Sequence, residues 1–277
     1  MTAVLANAGA LRSALSSVVL PLPRKPVSRW IGIRFGSDDM MWARFPSPCR
    51  RRRDAATEFP CGRRGARLLV ITGAGDRAFC AGTDLGELQG LTLEERTAKS
   101  DVARALLVRL HRSRLISVAG MNGLAYGGGL ELALACTLRI AAPHVKMSLP
   151  EVKLALVPAY AGTQLLPAVI GRARALDMML TGRAVDAAEA HAMGLIHRVA
   201  STDSPVADQA IAFGQEITRW SPTAVAAIRA CIDAASDTLT DAGLAIEREQ
   251  VNTNYASADA REGMAAFLEK RPARYTG

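Results

Sequence analysis

Hydrophobic and polar positions alternate in kind, not at random, from residue 68 onward. Residues 68–72 (LLVIT) form a short apolar run closed by Gly73, the pattern of a strand buried on both faces. A glycine-containing passage follows. From about Thr92 to His111 the apolar residues then recur at helical spacing, with Leu106, Leu107 and Leu110 on one face. Residues 115–119 (LISVA) predict a second buried strand. A glycine-rich loop over 123–129 leads into a helix over 130–136, and residues 138–142 (LRIAA) predict a third strand, stopped by Pro143. Strands alternating with helices in this order predict an α/β fold with a largely parallel sheet and right-handed crossovers.

Beyond about Thr163 the pattern is almost wholly helical. Segments 163–180, 186–193, 206–219, 222–235, 239–255 and 259–270 are rich in Ala, Leu, Glu and Arg, with breakers such as Gly182, Gly194 and Ser221-Pro222 between them. So many helices exceed what one sheet can cover, which predicts a helical layer or a subunit interface. Residues 1–67 differ again, with two of the three Trp, clustered Arg and Pro, and little sustained periodicity.

Composition and charge sharpen this division. The chain has 277 residues, 49% of them hydrophobic, which excludes low-complexity disorder and leaves ample chain to bury a core. No stretch reaches the roughly 20 apolar residues of a membrane span; the Ala-rich block from Leu124 to Ala135 is interrupted by Glu131 and three glycines. The net charge of +8 lies entirely in residues 1–67, around Arg50–Arg53 and Arg63-Arg64, while the remainder is nearly neutral. A nucleic-acid or membrane partner is therefore not expected, and the arginines read as a solvated charge run. The first 37 residues lack any acid, a composition like that of a transit peptide. Five Cys and four His show no metal-ligand spacing, so the cysteines are expected to be small buried hydrophobes in a reduced compartment. A cytoplasmic location is expected, with a mitochondrial one as the alternative.

Three places carry candidate chemistry. Gly73 to Ala78 fits G-x-G-x-x-A, but Phe79-Cys80-Ala81-Gly82 does not open a helix, so a cofactor-free turn is expected instead of a dinucleotide site. Gly127-Gly128-Gly129 stands before a helix, where free N–H groups and the positive dipole end suit a developing oxyanion. Alone, such a loop equally suits tight helix–strand packing. Glu131 falls in the first turn of the apolar helix, and Glu151 follows Pro150 in an apolar passage. Each alone could be a dipole partner or a surface acid. Buried close together, two carboxylates would divide into one protonated and one ionised group, as paired acid and base work requires.

Taken in order, several motifs resemble the enoyl-CoA hydratase/isomerase (crotonase) superfamily. They are Ala78-Phe79-Cys80-Ala81-Gly82-Thr83-Asp84-Leu85, then Asn122-Gly123 through Gly127-Gly128-Gly129-Leu130-Glu131, then Pro150-Glu151. Gly162-Thr163-Gln164, Ala192-Met193-Gly194-Leu195, and Arg261 to Met264 with Glu269-Lys270-Arg271 continue the series. The resemblance runs over 68–277 and implies a crotonase-like spiral of ββα/βαβ turns in 68–197. It further implies a helical trimerisation region in 198–277, after an atypical basic segment in 1–67 that lacks the family's opening hairpin. It implies an enoyl-CoA hydratase of fatty-acid or related acyl-CoA metabolism, assembled as a homotrimer or homohexamer. Ala81 and Gly128 would supply the oxyanion-hole N–H groups. Glu131 and Glu151 would hold a water between them, one carboxylate taking its proton as it attacks C3 and the other acid protonating C2.

Ala81, Gly82, Thr83 and Asp84 match positions at the CoA thioester, and Phe267 and Lys270 positions that reach a neighbouring subunit's CoA. Coenzyme A belongs to the substrate, and neither a metal nor a redox cofactor is implied. An isomerase, another acyl-CoA lyase or hydrolase, or an inactive homologue is the alternative; retention of both glutamates favours hydration. One departure concerns substrate shape. The family's Pro-Gly-Ala-Gly-Gly is Pro158-Ala159-Tyr160-Ala161-Gly162 here, which replaces two glycines and adds an aromatic ring near the expected acyl pocket. A short or unusual acyl chain is expected.

Overall fold

The computed structural model describes the backbone of residues 30–35 and 39–44 and residues 67–84, 91–234, 249, 253 and 257–276. Two sheets, not one, organise the larger part. Strands β1 (Trp30–Phe35), β2 (Asp39–Arg44), β3 (Leu68–Gly73), β5 (Ile116–Met121), β7 (Leu138–Ala141) and β10 (Arg198–Val199) form a sheet in the order β10-β7-β5-β3-β1-β2. Strands β4 (Ala78–Cys80), β6 (Leu124–Tyr126), β8 (Lys146–Ser148) and β9 (Val185–Asp186) form a second, in the order β4-β6-β8-β9. The pairs β3–β5, β5–β7 and β7–β10 are parallel, as are β4–β6 and β6–β8.

Each turn of chain therefore gives one strand to the large sheet, one to the small sheet, and then a helix. Helix α1 (Leu93–His111) follows β3–β4, and α2 (Gly128–Ala135) follows β5–β6; the 3-10 turn Glu151–Leu154 and α3 (Gly162–Ile170) follow β7–β8. This is the spiral that the motifs imply. The single sheet expected from hydrophobic pattern alone is corrected: three-residue strands inside loops are too short to show a period, and they build the second sheet.

The first segment is corrected too. Residues 30–35 (WIGIRF) alternate with period two and pair antiparallel with both β2 and β3, so an opening hairpin is present. The other features expected in 1–67, including a transit-like leader, lie largely outside the described residues.

Local sequence explains the helix boundaries. Thr92 caps α1 reciprocally with Glu95: the Glu95 N–H donates to Thr92 Oγ1 at 3.2 Å, and the Thr92 N–H donates to Glu95 Oε2 at 2.8 Å. The helix expected over 163–180 is two, α3 and α4 (Arg172–Thr181), parted at Gly171 with φ +79°. Helix α5 (Ala187–Ala192) is capped by Asp186, whose carboxylate accepts from the Glu189 N–H at 2.9 Å.

Every residue of β5 and of α2 is buried, and Leu130, Leu134, Met147, Leu149 and Leu166 form the centre of the core around them. The turn after β3 is tied down by Asn122. Its Oδ1 accepts from the Gly73 N–H at 2.8 Å, and its Nδ2 donates to the carbonyls of Gly73 and Gly75. The chain then enters β4 instead of a helix, so the G-x-G-x-x-A match is a turn, as expected.

The chain divides into two compact units, residues 1–214 and 215–277. The boundary falls inside α6 (Val206–Thr218), whose Ala210 packs against Gly120 and whose Gly214 packs against Leu68. In the second unit α7 (Pro222–Asp233) is capped by Ser221, and after α8 (Ala258–Leu268) the chain turns back on itself. There the Arg271 guanidinium holds Glu262 at 2.6 and 3.0 Å, and the Thr276 N–H donates to Asp259 at 2.8 Å. The helix expected over 239–255 lies outside the described residues except for Glu249 and Thr253, both helical. Among the described residues no helix is long and apolar enough to cross a membrane.

Candidate active site

Helix α2 starts where β6 ends, and its start is built from glycine. Gly127 is the N-cap with φ +53°, a conformation that strains any residue with a Cβ, and the Glu151 carboxylate lies against it. Gly128 and Gly129 form the first turn of the helix, one residue pair earlier than the sequence pattern placed it. The first N–H groups of a helix have no intrahelical acceptor and point out along its positive end. Here they face a cavity of about 360 Å³ lined by Ala81, Gly82, Thr83, Gly128, Glu131, Glu151 and Tyr160, among others.

Six sequence-derived site residues therefore converge: Ala81, Gly82, Thr83, Gly128, Glu131 and Glu151 line one cavity. Asp84 follows them in the chain but does not line it. The side chain of Phe267 lies outside the described residues. Lys270 belongs to the second unit, where it is exposed with φ +53° just past the end of α8.

Glu131 is 1% exposed. Its Oε1 accepts two backbone N–H groups, from Tyr160 and Gly162, each at 2.8 Å. The loop before α3 delivers both donors because Ala161 takes a left-handed conformation, φ +84°, rare for a residue with a Cβ. Gly162 fits because its Cα lies against that same carboxylate; a Cβ there would stand 2.8 Å from Oε1.

Burial pushes the Glu131 carboxyl up to about 7; the two N–H donors oppose the shift and the neighbouring Glu151 adds to it. Burial raises Glu151 as well, and its buried Oε2 has no hydrogen-bond partner in the protein. A carboxyl oxygen stripped of water and left unbonded is costly unless a ligand or water meets it in function. The Cys80 and Cys136 thiols are pushed by burial to about 11 and about 12, which keeps both neutral and inert. Among the described residues no group of three or more His, Cys, Asp or Glu could hold a metal ion.

The raised Glu131 value has a measurable consequence. A carboxyl whose folded value, about 7, exceeds its ordinary 4.5 stabilises fully below the lower figure and loses that stability as pH rises through the higher. The difference amounts to roughly 3 kcal/mol at most. Glu131→Gln keeps an Oε1 for both N–H donors but cannot ionise. Its unfolding free energy relative to wild type is expected to climb by 2–3 kcal/mol, to order of magnitude, from about pH 4 to pH 8 in urea titrations. A constant difference across that range would contradict a proton held at Glu131.

Sequence pattern missed two features of the cavity. Arg96 and Lys99, on α1, place cationic side chains in its lining; their spacing within a helix predicts a shared face but not what that face meets. The hydroxyls of Thr83 and Tyr160 lie 2.8 Å apart, joining two loops 77 residues distant in sequence. Nothing in the sequence marks that pair.

The site is thus a ββα spiral whose glycine-opened helix and two glutamates, one buried and one half-buried, share one cavity, and similarity to known proteins says which class of enzyme this is. Residues 62–277 match the enoyl-CoA hydratase/isomerase family, and the chain belongs to it, within the crotonase superfamily. It is 33% identical over 208 residues to the crotonyl-CoA hydratase of Syntrophomonas wolfei, covering 75% of this chain and 80% of that one. It is 38% identical over 214 residues to a mouse mitochondrial protein, enoyl-CoA hydratase domain-containing protein 2, covering 76% and 72%. Among solved structures, an enoyl-CoA hydratase from Bacillus anthracis superposes with a TM-score of 0.74 at 35% identity, over 78% of this chain and 83% of that one.

Proposed function

We propose that this enzyme adds water across the 2,3 double bond of a 2-enoyl-CoA thioester. The observation that carries the reading is the pair of glutamates on one cavity, Glu131 buried in α2 and Glu151 half-buried at the start of the 3-10 turn, beside the glycine-opened start of that helix. Hydration needs a base for the water and an acid for the α-carbon, and the two carboxyls provide both.

The thioester oxygen sits between the N–H groups of Ala81 and Gly128, where the dipole of α2 adds to the two donors as an enolate develops. Glu131 in its ionised form, which burial disfavours and the two N–H bonds favour, takes a proton from water as its oxygen bonds to C3. Glu151, whose Oε2 has no acceptor or donor in the protein, carries the proton that passes to C2. One carboxyl gains a proton and the other loses one, so the sum is one water added, and exchange with solvent restores the pair. Arg96 and Lys99 in the lining suit the anionic phosphates of coenzyme A. The test is the fall in enoyl-thioester absorbance when purified protein meets crotonyl-CoA. A folded protein that leaves the absorbance unchanged with crotonyl-CoA and with longer enoyl thioesters would overturn the reading.

A further inference from the structure

The Thr83–Tyr160 hydroxyl pair lies inside the cavity and joins its two sides. Thr83 follows Gly82 on the loop after β4, while Tyr160 stands on the loop before α3. Both line the cavity that holds Glu131 and Glu151, and their oxygens are 2.8 Å apart. A bond between two lining residues on separate loops is a bar across the space between them. The Tyr160 ring is 6% exposed and packed with the hydrophobic core, so it does not swing in solvent. Its own backbone N–H holds Glu131 Oε1, which fixes the ring immediately beside the reacting carboxyl.

An acyl chain whose C2 and C3 lie at the two glutamates has that ring beside it, because Tyr160 lines the same cavity and its N–H is bonded to Glu131. The rest of the nearby wall, Leu154, Leu156, Val157 and Ala159, is apolar and lines the same cavity, so the held ring takes up part of the space an acyl chain would fill. We propose that the Thr83–Tyr160 pair is a specificity latch that restricts the enzyme to short-chain acyl thioesters. This rests on the acyl-CoA reading above and goes beyond it by naming the substrate class and the two residues that set it. Tyr160 acts by occupying space, and Thr83 acts by holding Tyr160 in place.

The experiment compares wild type with Thr83→Ser, Thr83→Val, Tyr160→Phe and Tyr160→Ala. Two ratios are read: kcat/KM for 2-decenoyl-CoA over crotonyl-CoA, and calorimetric affinity for decanoyl-CoA over butyryl-CoA, which needs no turnover. Wild type and Thr83→Ser, which keeps the hydroxyl, should both favour the short chain. Thr83→Val and Tyr160→Phe, which cut the bond but keep the ring, should raise both ratios several-fold. Tyr160→Ala should raise them at least about tenfold, the worth of two newly buried methylenes. A merely structural role would lower both substrates together and leave the ratios fixed. Unchanged ratios in the two bond-cutting variants and in Tyr160→Ala, or a wild type that favours the long chain, would overturn the latch. Should Tyr160→Ala fail to fold, Tyr160→Phe and Thr83→Val decide. If wild type binds butyryl-CoA but hydrates no enoyl thioester, the hydratase reading fails while the affinity ratios still judge the latch. No acyl-CoA binding at all overturns both.

Discussion

Glu151→Gln should reduce hydration of crotonyl-CoA by about a thousandfold or more, and Glu131→Gln by a similar factor, since positioned proton transfer contributes roughly 10² to 10⁴ in rate. Each substitution leaves side-chain volume nearly unchanged, so affinity for a saturated acyl-CoA should stay within about threefold, equivalent to less than 1 kcal/mol. The two variants should nonetheless differ in a second reading. At Glu131 the Gln oxygen still accepts the N–H groups of Tyr160 and Gly162, so its loop stays in place. At Glu151 the oxygen lost is the one without a partner, and no protein hydrogen bond is forfeited. Both variants are therefore expected to fold, and a fall in kcat with little change in affinity would locate the loss in the chemical step. More than about a tenth of wild-type kcat in either variant would remove that glutamate from proton transfer, because solvent water alone does not replace a positioned acid or base to that extent.

The pair was legible because each glutamate lies in a sequence setting that contradicts its charge. Glu131 follows three glycines and a leucine, and Glu151 sits between Pro150 and an apolar run; the structure buries the first, half-buries the second and directs both to one cavity. The strands β3, β5 and β7 were legible for the same kind of reason, since continuous apolar runs mark strands covered on both faces; β5 and β7 are buried throughout, while in β3 only alternate residues are fully buried. What escaped was short or non-local. Strands β4, β6 and β8 have three residues each, below the length at which a period can be counted. The split at Gly171 escaped because Pro167 and Gly171 stand among strong helix formers that mask the break. Ala161 accepts a left-handed conformation that its sequence does not advertise, and the loop still delivers the N–H groups to Glu131. No local pattern could show that Thr83 would meet Tyr160, because that contact joins the first turn of the spiral to the third.

The stacking of α2 on β4 sets the largest expected loss of stability. Gly129 lies so close to β4 that a Cβ there would overlap the Cys80 carbonyl oxygen and stand 2.6 Å from its carbon and 2.9 Å from its Cβ. The obstructing atoms belong chiefly to backbone in a paired strand, so no rotamer change relieves the overlap. Gly129→Ala must instead lift α2 from the small sheet, parting a helix whose every residue is buried. Overpacking of this kind costs typically 1–3 kcal/mol where side chains can yield, and about 3–5 kcal/mol is expected where backbone must move. Gly75→Ala is the matched control: it imposes strain at φ +75° but meets nothing within 4 Å, so about 1–2 kcal/mol is expected. The midpoints of urea unfolding compare the two directly, and a loss under about 1 kcal/mol at Gly129 would mean that α2 does not rest on β4 as closely as the geometry has it. Function should follow stability here. The displaced turn carries Gly128 and lies two residues from Glu131, so any Gly129→Ala protein that folds should bind acyl-CoA weakly and hydrate it slowly, whereas Gly75→Ala should retain both properties.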